Sequence, residues 1–401
     1  MEFLVTLLMR LRLVISNLSL LLLPAILFSP GLLRAAPEDA VQAYASVSVM
    51  HDDNLLRLSS AQAAVADTIQ QDTLGLKVDW KQGRQQVLLD ASVNQTRYSN
   101  LTSLGYQATN VQSRWNWQLG NSLSGNLGYN KNTSQSSFAE LHQAVNNLNT
   151  RQEKFADGAL QIKPSWRLNG GVTQSTYSVA SNSVLGNEST SYTVGATFTP
   201  PSGNEIGIRS NRLVQRYPVL QVVSNVPLDN GFTQNQLLAT VNWLYSGHIR
   251  VNGQAGVVSR AHNQVTVRDF SGKTMHGTLS WQGSGKTQIS LSTWNELDAY
   301  DDLVTNSAQS KGTSLEAVWS PAGKLSVSVR GQHLKRDFIL NPNTQAPSRQ
   351  DTVNSASFSI NYQPVRAVNL SAGMQAERRS STLDYIDYAD NTINLGMSLM
   401  F

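Results

Sequence analysis

With 401 residues and a formal charge of only +4, the chain lacks the concentrated basic patch that nucleic-acid binding requires. It has no cysteine, which excludes disulfides, thiolate catalysis, zinc–thiolate sites and a lipid-modified N-terminal cysteine. Its mean hydropathy of −0.26 is that of a soluble chain, yet membrane strands in which every second residue is polar reach the same value.

The chain opens with Arg10 and Arg12, then an apolar run through Leu20-Leu21-Leu22-Leu23 and Ile26-Leu27-Phe28, then Leu33-Arg34-Ala35-Ala36. A positive start, an apolar middle and a small-residue exit read as a cleavable secretory signal over residues 1–35. The signal holds Arg10, Arg12 and Arg34 against Glu2, so about half of the +4 leaves with it. Residues 36–401 then form one domain, with no apolar stretch long enough for a spanning helix.

Beyond the signal, tight-turn residues recur at an even spacing. They stand at Lys81-Gln82-Gly83-Arg84, Gly120-Asn121-Ser122, Lys163-Pro164-Ser165, Pro200-Pro201-Ser202-Gly203-Asn204, Ser246-Gly247, Gly283-Ser284-Gly285-Lys286, Ser320-Pro321-Ala322-Gly323-Lys324 and Gln363-Pro364-Val365-Arg366. Longer polar connections alternate with them, at about 51–71, 99–106, 134–150, 179–189, 218–230, 261–269, 298–309, 339–350 and 380–387. Between turns the residues alternate. Val87, Leu89, Ala91 and Val93 face away from Asp90, Ser92 and Asn94, and Ala356, Phe358, Ile360 and Tyr362 away from Ser355, Ser357 and Ser359. The pattern predicts an all-β, transmembrane antiparallel barrel of about eighteen strands, or sixteen if the first hairpin lies outside it. Short turns would face the periplasm and longer loops the exterior.

A soluble sandwich shares this period, so other residues must decide. Trp80, Trp117, Trp166, Trp243, Trp281 and Trp319 all sit within a few residues of a short turn, and Phe401 ends the closing strand Ile393, Leu395, Met397, Leu399. That is the pattern of an interfacial aromatic girdle. Prolines fall in turns and loops, where a missing N–H breaks no ladder bond.

The polar phase of the strands puts Lys77, Asp90, Arg114, Arg209, Arg250, Glu316, Arg330 and Arg379 in the lumen. Arginine forks suit carboxylates and sugar hydroxyls, though any wide barrel needs a polar, salt-bridged interior. The acids Asp52-Asp53 and Asp301-Asp302, and Asp384, Asp387 and Asp390 interleaved with Tyr385 and Tyr388, read as solvated loop tips or weak calcium sites. The tyrosines could also stack on sugar at the mouth. Scattered histidines and the lack of a Gly-x-Ser-x-Gly elbow predict no catalytic, metal or cofactor site, and no enzyme.

Asp52-Asp53-Asn54-Leu55-Leu56-Arg57-Leu58, with Asp72-Thr73-Leu74-Gly75-Leu76 and Gly83-Arg84-Gln85, resembles the EpsL-like outer-membrane β-barrels of exosortase-associated exopolysaccharide operons. The likeness rests on Asp52, Asp53, Asn54, Leu55 and Arg57. It implies a Gram-negative outer-membrane protein that helps a secreted polysaccharide cross the membrane. Its partners would be outer-membrane lipid, the polysaccharide, the barrel-assembly machinery and periplasmic export components, with no nucleic acid. The alternatives are a general porin-like solute channel and a non-transporting structural or adhesive barrel. A porin should fold an acidic constriction loop inward against basic residues. The long loops 51–71 and 134–150 are only sparsely acidic, which weighs against it. If the signal is cleaved, N-terminal sequencing of the protein from outer membranes will read a start near Ala36. A start at Met1 would contradict the signal assignment.

Overall fold

A computed structural model describes residues 40–223, 225–299, 305–340 and 348–401. The signal segment 1–35 and the Asp301-Asp302 pair lie outside the described residues. The strands are β1 (Val41–Asp52), β2 (Asp67–Gln82), β3 (Gln85–Tyr98), β4 (Tyr106–Leu119), β5 (Leu123–Gln135), β6 (Leu148–Lys163) and β7 (Trp166–Val179). Then come β8 (Asn187–Phe198), β9 (Glu205–Arg216), β10 (Gln221–Val223), β11 (Val226–Leu228), β12 (Phe232–Ser246), β13 (Ile249–His262) and β14 (Phe270–Ser284). The last are β15 (Thr287–Ala299), β16 (Thr305–Ala322), β17 (Leu325–Leu340), β18 (Gln350–Val365), β19 (Val368–Ser381) and β20 (Tyr388–Met400).

All but β10 and β11 belong to one 18-stranded sheet, the first of the two counts expected from the sequence. The excluded pair forms its own hairpin in the connection 217–231. Successive barrel strands pair antiparallel, and β9 passes its ladder directly to β12. The sheet closes where β1 meets β20, from Tyr44 opposite Met400 to Asp52 opposite Thr392. Ala43 and Phe401 exchange backbone bonds of 3.2 and 2.8 Å at the end of this seam. Closure leaves no edge strand with unpaired N–H and C=O groups, which hydrocarbon would not tolerate. At the short-turn end, Gly83 and Gly120 take φ of +61° and +59°, a backbone that side chains adopt only with strain.

Strand ends differ from the sequence expectation at the long connections. The first loop is 53–66 rather than 51–71, and 134–150 shrinks to 136–147. The expected loop 298–309 is mostly strand, since β15 runs to Ala299 and β16 begins at Thr305. These strands continue polar beyond the hydrophobic band, so composition alone marks them as loop.

Residues directly opposed across a ladder share a face. Leu74 faces Val93, and Leu279, Leu291 and Leu315 form one row over three strands. This face stays open: Leu74 is 69% exposed, Val194 62% and Ile208 54%. Rows of exposed large apolar side chains along the strands, on the convex side of a closed barrel, are a lipid-facing belt. Trp80, Trp117, Trp166, Trp243, Trp281 and Trp319 share its register, and Trp166 packs on Phe198 at 5.1 Å between ring centres. Trp115 joins them, and Phe401 extends the row Leu395, Met397, Leu399. A closed barrel with an apolar belt outside and polar residues within spans the outer membrane of a Gram-negative bacterium.

The inner face carries three aromatic rings that each lie over a directly opposed glycine: Tyr44 over Gly75, Phe155 over Gly128 and Trp294 over Gly312. A Cβ at any of these glycines would overlap the ring. The missing side chain lets a large ring lie flat on the wall, which pins register and keeps the lumen open. Gly128→Val should therefore lower barrel stability by about 1–3 kcal/mol, the cost of overpacking. Gly331→Val, where a Cβ meets nothing within 4 Å, should leave it nearly unchanged. Urea-unfolding midpoints in detergent check this, and equal midpoints for the two variants would sink the idea.

Candidate functional site: a narrowed mouth and a basic wall

The strip Asp52-Asp53-Asn54-Leu55-Leu56-Arg57 folds back into the barrel end. Asp52 closes β1 pointing inward and is 1% exposed. Its carboxylate accepts from the backbone N–H of Asn54 at 2.9 Å and from Arg57 Nη1 at 2.8 Å. Arg57 Nη2 reaches Asp390 on β20 at 3.1 Å. Arg57 sits at φ +57°, held there because Asn54 accepts from the Leu58 N–H and donates to the carbonyls of Leu58 and Ala389. Asp53 accepts from the backbone and side-chain amides of Asn391 at 2.7 and 2.9 Å. The motif thus bolts the first loop onto β20, beside the seam that closes the barrel. Burial disfavours the Arg57 cation, but the Asp52 and Asp390 carboxylates outweigh it and raise its pKa. Leu55 and Leu56 pack with Tyr98, Leu104 and Phe138 in a small apolar core. Asp52 and Asp53 are therefore anchors rather than solvated loop tips. An inward turn makes this contact because Asp52 shares the lumen face with Asp67.

The connection 136–147 also turns inward. Ser137 caps a one-turn helix, Phe138–Leu141, by accepting from the Ala139 N–H at 3.2 Å. The helix delivers Glu140 to Arg349 at 3.0 Å and to Arg379 of β19 at 2.5 Å. Arg349 is further paired with Asp351 at 2.6 Å and lies 4.1 Å from the Phe338 ring centre. Arg379 stacks at 4.8 Å on Tyr388, whose hydroxyl donates to Glu377 at 2.6 Å. His142 donates from Nδ1 to the Arg57 carbonyl at 2.8 Å, joining the two loops, and burial lowers its pKa. A segment leaving β5 thus reaches the ends of β18 and β19 across the opening. The sparse acidity of 134–150 proved a poor guide: one acid, Glu140, meets two arginines. The Ser137-x-x-Glu140 spacing is a helix-start signal that sequence reasoning missed. Of the tyrosines offered for sugar stacking, Tyr388 is buried at this contact and Tyr385 is exposed.

Below the mouth, a cavity of about 760 Å³ runs along the inner wall from β4 to β14, lined by Arg114, Asn130, Glu153, Asp157, Arg167, Asn169, Arg209, Gln254 and His276. Arg114 lies 5.6 Å from the Phe155 ring centre. Arg209 donates to Gln254, and its Nε has no hydrogen-bond partner among the described residues. Arg167, missed in the sequence reading, pairs with Glu205 at 3.0 Å. Lys77 and Asp90 oppose each other at 3.8 Å, and Tyr44 donates to Asp90 at 2.8 Å. Arg250 donates to Asn242 at 3.3 Å, and Glu316 lies directly opposite Arg330. The structure therefore puts all eight candidate residues on the inner face, but Arg379 belongs to the mouth and not to the open wall. It also puts Trp294 inside, stacked on His276, which faces Glu296 at 3.3 Å. No group of metal-ligating side chains occurs among the described residues.

Residues 234–401 match the family described as "Putative beta-barrel porin 2". In fold, the chain is similar to OpdK of Pseudomonas aeruginosa, solved with vanillate, at a TM-score of 0.51 and 11% identity over 90% of this chain and 99% of that one. It is similar to OccK2 (OpdF) of the same organism at 0.54 and 10%, covering 90% and 98%. It is also similar to a BenF-like porin of Pseudomonas fluorescens Pf-5 at 0.51 and 10%, covering 91% and 99%. No curated protein matches it in sequence. The architecture is that of an outer-membrane β-barrel porin.

Removing Arg57 would strand Asp52 and Asp390 together, at a cost of about 3–5 kcal/mol by the precedent of broken buried pairs. Arg57→Ala should lower the urea midpoint accordingly. Restoring much of that loss in the Asp52→Asn, Asp390→Asn, Arg57→Met triple variant supports the anchor. An unshifted midpoint for Arg57→Ala refutes it.

Proposed function

We propose that the protein is a passive channel for small polar solutes across the outer membrane, with a preference for anionic ones. The observation that carries this reading is the arginine-rich wall: Arg114, Arg167 and Arg209 line one cavity with Asn130, Asn169 and Gln254, against the two carboxylates of Glu153 and Asp157. Forked guanidiniums with unspent donors can trade hydrogen bonds with a carboxylate without holding it tightly, which is what passage requires. The inward loops 53–66 and 136–147 narrow the entrance, a geometry that favours small solutes over an extended polymer. The porin-type family model and fold neighbours support the same reading. One neighbour's structure contains vanillate, a small organic anion.

The resemblance through Asp52-Asp53-Asn54-Leu55-Leu56-Arg57-Leu58 motivates a second reading, in which the hydroxyl- and amide-rich lumen serves exopolysaccharide export. The inner rows Ser355, Ser357, Ser359 and Ser290, Ser292 are compatible with sugar hydroxyls. Comparing periplasmic with released polysaccharide in a deletion strain separates the two: trapped polymer favours export, and unchanged secretion favours the solute channel.

In planar bilayers under a salt gradient, the parent should show discrete steps and an anion-selective reversal potential. The Arg114→Gln, Arg167→Gln, Arg209→Gln variant should shift that potential toward cations. Absence of steps, or a potential that the triple variant leaves in place, would overturn the proposal.

A further inference from the structure

The outer face carries charge as well as lipid-facing carbon. On β16 and β17, Lys311 and Lys335 stand directly opposite each other, as do Thr313 and His333 one step below. All of these lie on the face of Leu315 and Val329, pointing away from the lumen. Lys311, Lys335 and His333 are exposed, as is Lys273 on β14, which shares the face of Met275 and Leu279. Like charges directly opposed on a sheet repel, so a bare pair calls for an anion. Lys273, Lys311 and Lys335 form no ion pair among the described residues, although Asp337 stands two residues from Lys335 on the same face. His333 donates from Nδ1 to Asn354 at 2.7 Å, which fixes its ring. Thr293, Asn295, Lys311, Thr313, His333 and Lys335 line a shallow groove of about 380 Å³.

The height of this cluster identifies its surroundings. Lys311 and Lys273 stand eight residues from Trp319 and Trp281, which mark the periplasmic interface. Eight residues at about 3.4 Å each, on strands tilted by about 40°, rise roughly 21 Å, close to the ~25 Å apolar band of such barrels. The lysine ammonium groups, reaching upward along their stems, therefore meet the headgroups of the outer leaflet.

We infer that Lys273, Lys311, Lys335 and His333 form a binding site on the outer wall for the phosphate groups of a phosphorylated glycolipid of the outer leaflet. The groove between β15 and β17 takes one phosphate between the opposed lysines. Thr293, Thr313 and Asn295 supply neutral hydrogen bonds around it. The site is independent of the lumen and of what passes through it.

The probe is lipid A, added to the full folded barrel in detergent and read by native mass spectrometry. Dephosphorylated lipid A and inorganic phosphate run as parallel arms. Each basic residue at an anionic lipid surface contributes about a fivefold preference, so Lys311→Gln, Lys335→Gln should weaken lipid A binding roughly thirtyfold. The matched pair Lys131→Gln, Lys154→Gln, two outward cations on β5 and β6, should weaken it far less. Heat-modifiable migration on gels shows that each variant is folded. The inference fails if both pairs weaken binding equally, if dephosphorylated lipid binds as well as lipid A, or if inorganic phosphate at millimolar concentration competes the lipid away.

Discussion

Every backbone N–H and C=O in the hydrocarbon layer must find its partner within the protein, and closing the sheet between β1 and β20 is what satisfies that demand. The other features are consequences. A closed sheet has a convex and a concave side, so the period of two divides each strand into a lipid row and a lumen row. The lipid row is free to be Leu, Val, Ile and Trp, and the lumen row must be polar. The rings of Tyr44, Phe155 and Trp294 also face inward, each lying flat over a glycine on the neighbouring strand.

The seam is also where the chain invests its buried charge. Arg57 ties the loop after β1 to Asp390 on β20, and Asp53 ties it to Asn391. The first and last strands are thereby joined twice, by ladder bonds and by side chains above the ladder. These side chains also hold the loop across the opening, so one set of contacts serves closure and constriction together. Glu140 plays the matching role from the opposite wall, neutralising Arg349 and Arg379. A buried ion pair adds little net stability over an apolar substitute, but it is unforgiving of alternative positions. That property suits a loop that must sit in one place.

Much of this was readable in the chain. Turn residues such as Gly83-Arg84 and Gly323-Lys324, with alternation between them, give eighteen strands and the inner phase, because a two-residue period is a local property. The outward tryptophans near the short turns are legible for the same reason. What could not be read is long-range. Nothing local says that Arg57 meets Asp390, or that Glu140 meets Arg349, since those contacts follow from which strands the closed sheet brings near. The acid pair Asp52-Asp53 looks like a solvated tip until the inward turn of its loop is known. Trp294 stands outside the expected girdle, and only its register opposite Gly312 shows that it turns into the lumen. The outer ends of β15 and β16, residues 298–299 and 305–309, read as loop in the sequence because they continue polar past the apolar stretch of their strands.

The account stands on a mouth narrowed by loop 136–147 and held by Glu140. Single-channel recording of the parent and of Glu140→Gln tests it most directly, because the substitution removes the charge and keeps the size. Release of the loop should give a larger or visibly flickering conductance in the variant, with folded migration retained. Identical conductance and noise in the two proteins would contradict it.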